Sequence, residues 1–156
     1  MYLIFDTETT GLPQNWKAPL TDFNNWPRCV QLAWQVHDVE GKLVEVKNYI
    51  IKPEGYDIPF NAEKIHGIST DRANKQGMPL TEVLAEFVKD VEKCKFVVGH
   101  NVSFDNSIVG CELLRKEMPN LLADFPALDT KDDATNYCAI PGGRGGKFKW
   151  PSLTEL

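Results

Sequence analysis

The sequence predicts an α/β domain built on a mixed sheet. Three observations carry that expectation. Residues 2–5 and 95–99 are short apolar runs, as expected of strands buried on both faces. Residues 30–38 and 43–51 read as two longer strands joined at Glu40 and Gly41, a hairpin. Stretches with helical periodicity alternate with the later strands, and that alternation is the mark of an α/β layer structure.

The elements follow in order. The run Tyr2-Leu3-Ile4-Phe5 is apolar throughout and leads directly into Asp6. After the hairpin, Pro53 and Pro59 mark a loop. Asn61 is placed to cap a short helix, and Gly67 to end it. Past Pro79, Val83, Leu84, Phe87, Val88 and Val91 fall on one stripe, which predicts an amphipathic helix. Phe104, Ile108, Cys111 and Leu114 recur at the same period, so a second long helix is expected over about 103–118. A last short strand is expected over 126–130 and another helix over about 131–139. Residues 142–149 read as a flexible basic loop.

The 156 residues suit one domain with one core, and 42% apolar with 25% charged residues is a globular rather than a disordered composition. No apolar run is long enough to span a bilayer. The first residues lack the basic and apolar regions of a secretory signal. Cys29, Cys94, Cys111 and Cys138 form no Cys-x-x-Cys pair, so reduced thiols in a cytoplasmic protein are expected. The net charge of −5 argues mildly against a sequence-reading DNA binder, which usually carries a basic face. It is compatible with carboxylates that hold divalent cations, which neutralise them in use.

Asp6 and Glu8 lie two apart at the end of the first strand, so both point to one face. Two like charges side by side at a buried strand end are costly, and a divalent cation would offset the repulsion. On spacing alone, a pair of solvated acids at a strand exit is the better explanation. Gly11 allows a tight turn off the strand and close approach of a ligand. Residues 99–105 follow the second short strand and open a helix. Asp105 there is favourable beside the helix dipole without any metal, and Asn101 could be a local cap. His66, before Gly67, could simply complement a helix C-terminus.

Taken together, the strings are more specific. Phe-Asp-Thr-Glu-Thr-Thr-Gly-Leu at 5–12 and His-Asn-Val-Ser-Phe-Asp at 100–105 resemble the first two motifs of the DEDD superfamily of 3′–5′ exonucleases. Ile-His-Gly-Ile at 65–68 resembles the loop between them. The nearest likeness is to the proofreading-subunit-like (DnaQ-like) branch. The resemblance implies a ribonuclease-H-like mixed five-stranded sheet flanked by helices. It implies that Asp6, Glu8 and Asp105 are catalytic and hold two divalent ions, Mg²⁺ or Mn²⁺, for two-metal phosphodiester hydrolysis. It implies that Leu12 and Phe104 wedge the terminal base, with Thr7, Thr10, Gly11, His66 and Asn101 near the terminal nucleotide. The expected activity releases nucleoside 5′-monophosphates from single-stranded or frayed 3′ ends of DNA or RNA. A polymerase is a candidate partner. The alternative is a catalytically inactive nucleic-acid-binding or polymerase-accessory module of the same fold.

One part of the family pattern is missing. The branch carries a third motif with a histidine and, five residues later, a fourth aspartate. The two His-x-x-x-x-Asp strings here, His66 to Asp71 and His100 to Asp105, lie elsewhere in the pattern. Ser152 and Glu155 form a capping box, the signature of a helix start, and a lone helix needs roughly a dozen residues to be even marginal. The expectation is a single exonuclease domain over 1–156, cut short before the third motif and poorly active as it stands. Arg144, Lys147, Lys149 and Trp150 could touch a phosphate backbone, or form only a solvated linker.

Overall fold

A computed structural model describes residues 1–156. Five strands form one sheet in the order β3-β2-β1-β4-β5. β1 (Tyr2–Thr9), β2 (Cys29–His37) and β3 (Leu43–Ile50) are an antiparallel meander. β4 (Val97–Gly99) and β5 (Ala127–Asp129) run parallel to β1. The hairpin turn is held by the Asp38 carboxylate, which accepts from the backbone N–H groups of Glu40 and Lys42 at 2.9 Å each. Gly41 supplies the positive φ, 82°, that such a turn needs.

One face of the sheet is covered by α3 (Leu80–Val91) and α4 (Val102–Arg115). Leu3, Phe5, Leu32, Trp34, Val36 and Val97 pack there against Leu84, Phe87, Ile108 and Leu113, all nearly without solvent contact. A smaller cluster of Val30, Ile58, Ala62, Ile68 and Ala73 sits beneath two short helices, α1 (Phe60–His66) and α2 (Thr70–Gln76). Trp34 on β2 donates its indole N–H to Asp90 of α3 at 3.0 Å, and Lys47 on β3 binds the same carboxylate at 2.8 Å. Buried polar groups must be satisfied in this way or they cost stability.

The reverse face is open. Ile4, Val46 and Leu128 remain 37–55% exposed on it. With Asp6, Ala33, Val98 and His100, Ile4 and Val46 border a groove of about 560 Å³, and Leu153 and Leu156 lie along it.

Several expectations are met closely, and some are corrected. β1 runs on to Thr9, so Asp6 and Glu8 lie at the end of the strand, as expected. Asn61 is inside α1 and caps nothing, because Pro59 takes the N-cap position; Gly67 does end the helix in a left-handed conformation. α2 was not anticipated: it has weak apolar periodicity and is started by Ser69, whose hydroxyl accepts from Arg72 N–H. The helix expected over 131–139 is two single turns, α5 (Thr130–Asp133) and α6 (Thr135–Cys138). Half of the Ser152 capping box forms, with Glu155 accepting from Ser152 N–H at 2.9 Å over one turn. The four cysteines are free thiols.

Candidate functional site

The site grows from the edge of β1. β4 is only three residues long and pairs with β1 only at Leu3 and Ile4. Leu3 donates its N–H to Phe96 on that edge, and N–H groups alternate along a strand. Thr7 N–H therefore points to the same side with no strand left to receive it. Asp105, in the first turn of α4, fills the gap. Its Oδ1 accepts from Thr7 N–H at 2.9 Å and from the Thr7 hydroxyl at 2.7 Å. A side chain thus continues the sheet ladder and fixes α4 beside the strand.

Asp6 and Glu8 project from the same strand on the open face, as alternation requires. The β1–β2 register shifts between Glu8 and Thr9, a bulge that re-aims the strand at the second acid. The charge of Asp6 reaches both of the other carboxyls. Burial pushes Asp105 up to about 7, and the nearby charge of Asp6 adds to the rise although the Thr7 hydrogen bonds oppose it. Burial and Asp6 likewise raise Glu8, against the pull of His66. Asp6 is raised by burial, against the pull of His100. Acids held above their usual range by burial, two of them also by a neighbouring acid, favour an added cation.

The donor chemistry, carboxylates and no thiol, is of the kind that suits a hard divalent ion. The geometry is less closed than the sequence led us to expect. No group of three acidic, histidine or cysteine side chains is arranged as a ready metal cage. The physical reason is Asp105, which is buried and turned to Thr7.

The other expected residues sort into two groups. Leu12 is 71% exposed beyond the strand, and Phe104 is half-buried on α4 just before Asp105. Phe104 packs against the main core while keeping part of its ring exposed. Gly11 has φ 154°, and a Cβ there would meet open space. His66 Nδ1 accepts from Ile68 N–H, and its buried Nε2 has no partner. Asn101 is not a side-chain cap. It sits at φ 67°, and its Oδ1 accepts from Lys131 at 2.7 Å. Strained backbone of this kind costs of order 1–3 kcal/mol and clusters at functional sites. Two residues sit in the framework. Thr7 is buried and holds Asp105. Thr10 closes the following loop, accepting from Arg28 N–H at 2.9 Å and donating its own N–H to Arg28 O.

Some residues escaped the sequence reading. Asp129, at the end of β5, caps α4 by accepting from Asn101 and Val102 N–H at 2.8 and 3.0 Å. Lys131 lies over the Trp150 ring at 4.3 Å, so part of the basic loop folds back toward Asn101. His100 is tied to Thr130 and to Pro151 O at 3.0 Å each, which seats the last residues beside Asp6. Trp16 packs on Phe104 with ring centroids 5.6 Å apart. The only signal for Trp16 was an irregular stretch of 11–28, long for a loop and rich in aromatics.

Residues 3–138 match the RNase T exonuclease family. The chain belongs to this family. It is an exonuclease-family domain of the DnaQ-like DEDD kind, with the ribonuclease-H-like sheet described above. It is 33% identical over 138 residues to the PolC-type DNA polymerase III of Streptococcus thermophilus, covering 86% of this chain and 8% of that protein. The PolC-type polymerase of Streptococcus pyogenes serotype M2 is 31% identical over 135 residues, with the same coverage. The chain thus spans under a tenth of the length of these curated relatives. The fold is similar to that of E. coli exonuclease I in complex with a dA16 oligonucleotide, with TM-score 0.71, 22% identity, and coverage of 91% of this chain and 31% of that one. A zinc-bound form of the E. coli exonuclease I–single-stranded DNA complex gives TM-score 0.71 and 22% identity, covering 91% and 30%. No helix is long and apolar enough to cross a membrane.

Proposed function

We propose that this domain is a 3′–5′ exonuclease, releasing nucleoside 5′-monophosphates from single-stranded or frayed 3′ ends. One observation carries the reading. In a chain of an exonuclease family, Asp6 and Glu8 share one open sheet face while Asp105 is locked to the Thr7 between them, and all three are held above their usual titration range.

Asp6, Glu8 and Asp105 would hold divalent cations, Mg²⁺ or Mn²⁺. When bound, such ions activate a water and stabilise the leaving 3′ oxygen. That exonuclease I, which shares this fold, has a zinc-bound form with single-stranded DNA is in keeping with a divalent ion here. This chain's own residues do the rest. Thr7 fixes the Asp105 carboxyl through two hydrogen bonds, so one oxygen is committed and the other is left for a ligand. Leu12 and Phe104 offer apolar contact to the terminal base, which tolerates any sequence because every base has a flat face. His66 offers a buried Nε2–H without a partner, since its Nδ1 already accepts from Ile68; a donor there suits a phosphate or sugar oxygen.

His66 is protonated on Nε2 by that argument, and His100 is bonded at both nitrogens, so neither is free to take a proton from the water. We infer that the general base is a group other than these two histidines. The PolC-type relatives, of which this domain would be a small part, suggest a polymerase as its companion.

The decisive assay uses a 3′-labelled single-stranded oligonucleotide with Mn²⁺, comparing residues 1–156 with a longer natural form. Release of mononucleotides from the 3′ end, lost on Asp6→Ala, supports the reading. Release from the 5′ end, or activity indifferent to Asp6→Ala, overturns it. Nucleic-acid binding without hydrolysis in the longer form leaves the inactive binding module, which the missing metal cage favours.

A further inference from the structure

The loop between β1 and β2 is long, irregular and tightly tied down. Asn25 is buried, its Oδ1 accepts from Asn15 N–H at 2.6 Å, and its amide donates to Asn15 O at 2.9 Å. Asn15 in turn accepts from Lys17 N–H at 2.9 Å. The residues on both sides of Trp16 are thus clamped. Farther along, Trp26 donates to Pro19 O, and Arg115, paired with the buried Glu112, donates to the carbonyls of Phe23 and Trp26 at 2.7 Å. Thr10 and Arg28 close the loop at its neck.

Against that fixed backbone, Trp16 keeps 54% of its surface exposed. A large indole left half in water on a rigid loop does not serve core packing. Its ring meets Phe104 at 5.6 Å and 47°, and Phe104 is the residue before Asp105. The apolar surface of Phe104 therefore continues onto Trp16, and its anchoring means that little order must be gained on binding.

We infer that Trp16 is a base-stacking residue of the substrate cleft, and that with Phe104 it makes the site selective for an unpaired strand. The inference rests on the nuclease reading above. Aromatic faces bind bases whose own faces are free, and a base inside a duplex has none to offer. Pinning residues 15–17 by side-chain hydrogen bonds holds the ring ready for that contact.

The test is binding of a 5′-fluorescein oligothymidylate to the chain, read by anisotropy, with Ca²⁺ present to keep turnover low. Trp16→Ala is expected to weaken binding about five- to hundredfold, the range for loss of one base–aromatic stack. An abasic site at the terminal or the next nucleotide should weaken wild type similarly and abolish the difference between wild type and Trp16→Ala. Where Trp16→Ala lowers the thermal midpoint, the comparison moves to Trp16→Phe and Trp16→Leu. Phe should stay within about threefold of wild type and Leu should lose most of the stacking gain. If Trp16→Ala binds as wild type, or loses affinity equally with abasic and intact strands, the inference falls. If Phe104→Ala weakens binding while Trp16→Ala does not, only Trp16 is misassigned. If neither matters, or the wild-type chain ignores single-stranded ends, the nuclease reading falls with it.

Discussion

Asp90 and Asp105 are both buried aspartates, and their surroundings are opposite in sign. Asp90 on α3 receives hydrogen bonds from Lys47, Lys93 and the Trp34 indole. Burial alone would raise its carboxyl, but these partners bring it down to about 2. Asp105 on α4 receives only the neutral donors of Thr7 and faces another acid, and it stands at about 7. One carboxylate is completed by the protein's own cations and links a helix to the sheet. The other has no cationic partner among the protein's own side chains and is held only by Thr7. Burial by itself therefore says little about function; the sign and source of the compensating charge separate a structural acid from a candidate ligand.

The largest effect should come from breaking the completed side. Asp90→Ala leaves the Lys47 ammonium and the Trp34 N–H without a partner, and about 3–5 kcal/mol of stability should be lost. Urea unfolding measures it; a loss under about 1 kcal/mol would mean the network is not as buried as described.

On the other side the expected loss is of activity. Asp6→Ala in an active form of the protein should cut mononucleotide release about a hundred- to thousandfold, in keeping with removal of one preorganised electrostatic group. The thermal midpoint should hardly move, because Asp6 sits on the open face. Equal loss of fold would erase the contrast with Asp90.

Asp105→Asn sharpens the comparison further. The amide oxygen can still accept from Thr7, and an uncompensated acid is removed, so metal-free stability at neutral pH should hold or rise. Mn²⁺ at about a hundred times its dissociation constant should stabilise wild type by about 2.7 kcal/mol and the variant much less. Equal stabilisation of both would take Asp105 out of the metal set.

The pH dependence should follow Asp90. Its folded-state value lies below the ordinary 3.8, so its contribution is complete above about pH 4 and is lost as pH falls toward 2. Asp90→Asn should flatten that acid limb. A limb unchanged in the variant would assign it to other carboxyls. The smallest change is Leu12→Ala. Its side chain is 71% exposed, so stability should shift by no more than about 0.5 kcal/mol while oligonucleotide binding weakens severalfold.

Much of this was legible because the relevant physics is local. Strand alternation alone places Asp6 and Glu8 on one face, and the observed β1 does so. The helical stripes predicted α3 and α4, since amphipathic periodicity needs no knowledge of the partner surface. The hairpin turn at Glu40 and Gly41 follows from turn chemistry within five residues. The motif strings indicated the exonuclease family, to which residues 3–138 belong.

What needed the tertiary structure is everything set by an edge or an end far away in sequence. β4 stops after three residues, and only that brings Asp105 onto Thr7 across 98 positions. β5 lies beside β4 and ends at Asp129, so Asp129 caps α4 where Asn101 seemed the natural cap. Trp16 joins the site because Asn25, Arg28 and Arg115 fold its loop back onto α4, and no period in residues 11–28 announces that path. A sequence determines which faces its residues share, because backbone geometry repeats every two or every 3.6 residues. Which unpaired donor a carboxyl finds, and which ring an exposed tryptophan meets, depends on where separate elements stop, and only the packed chain decides that.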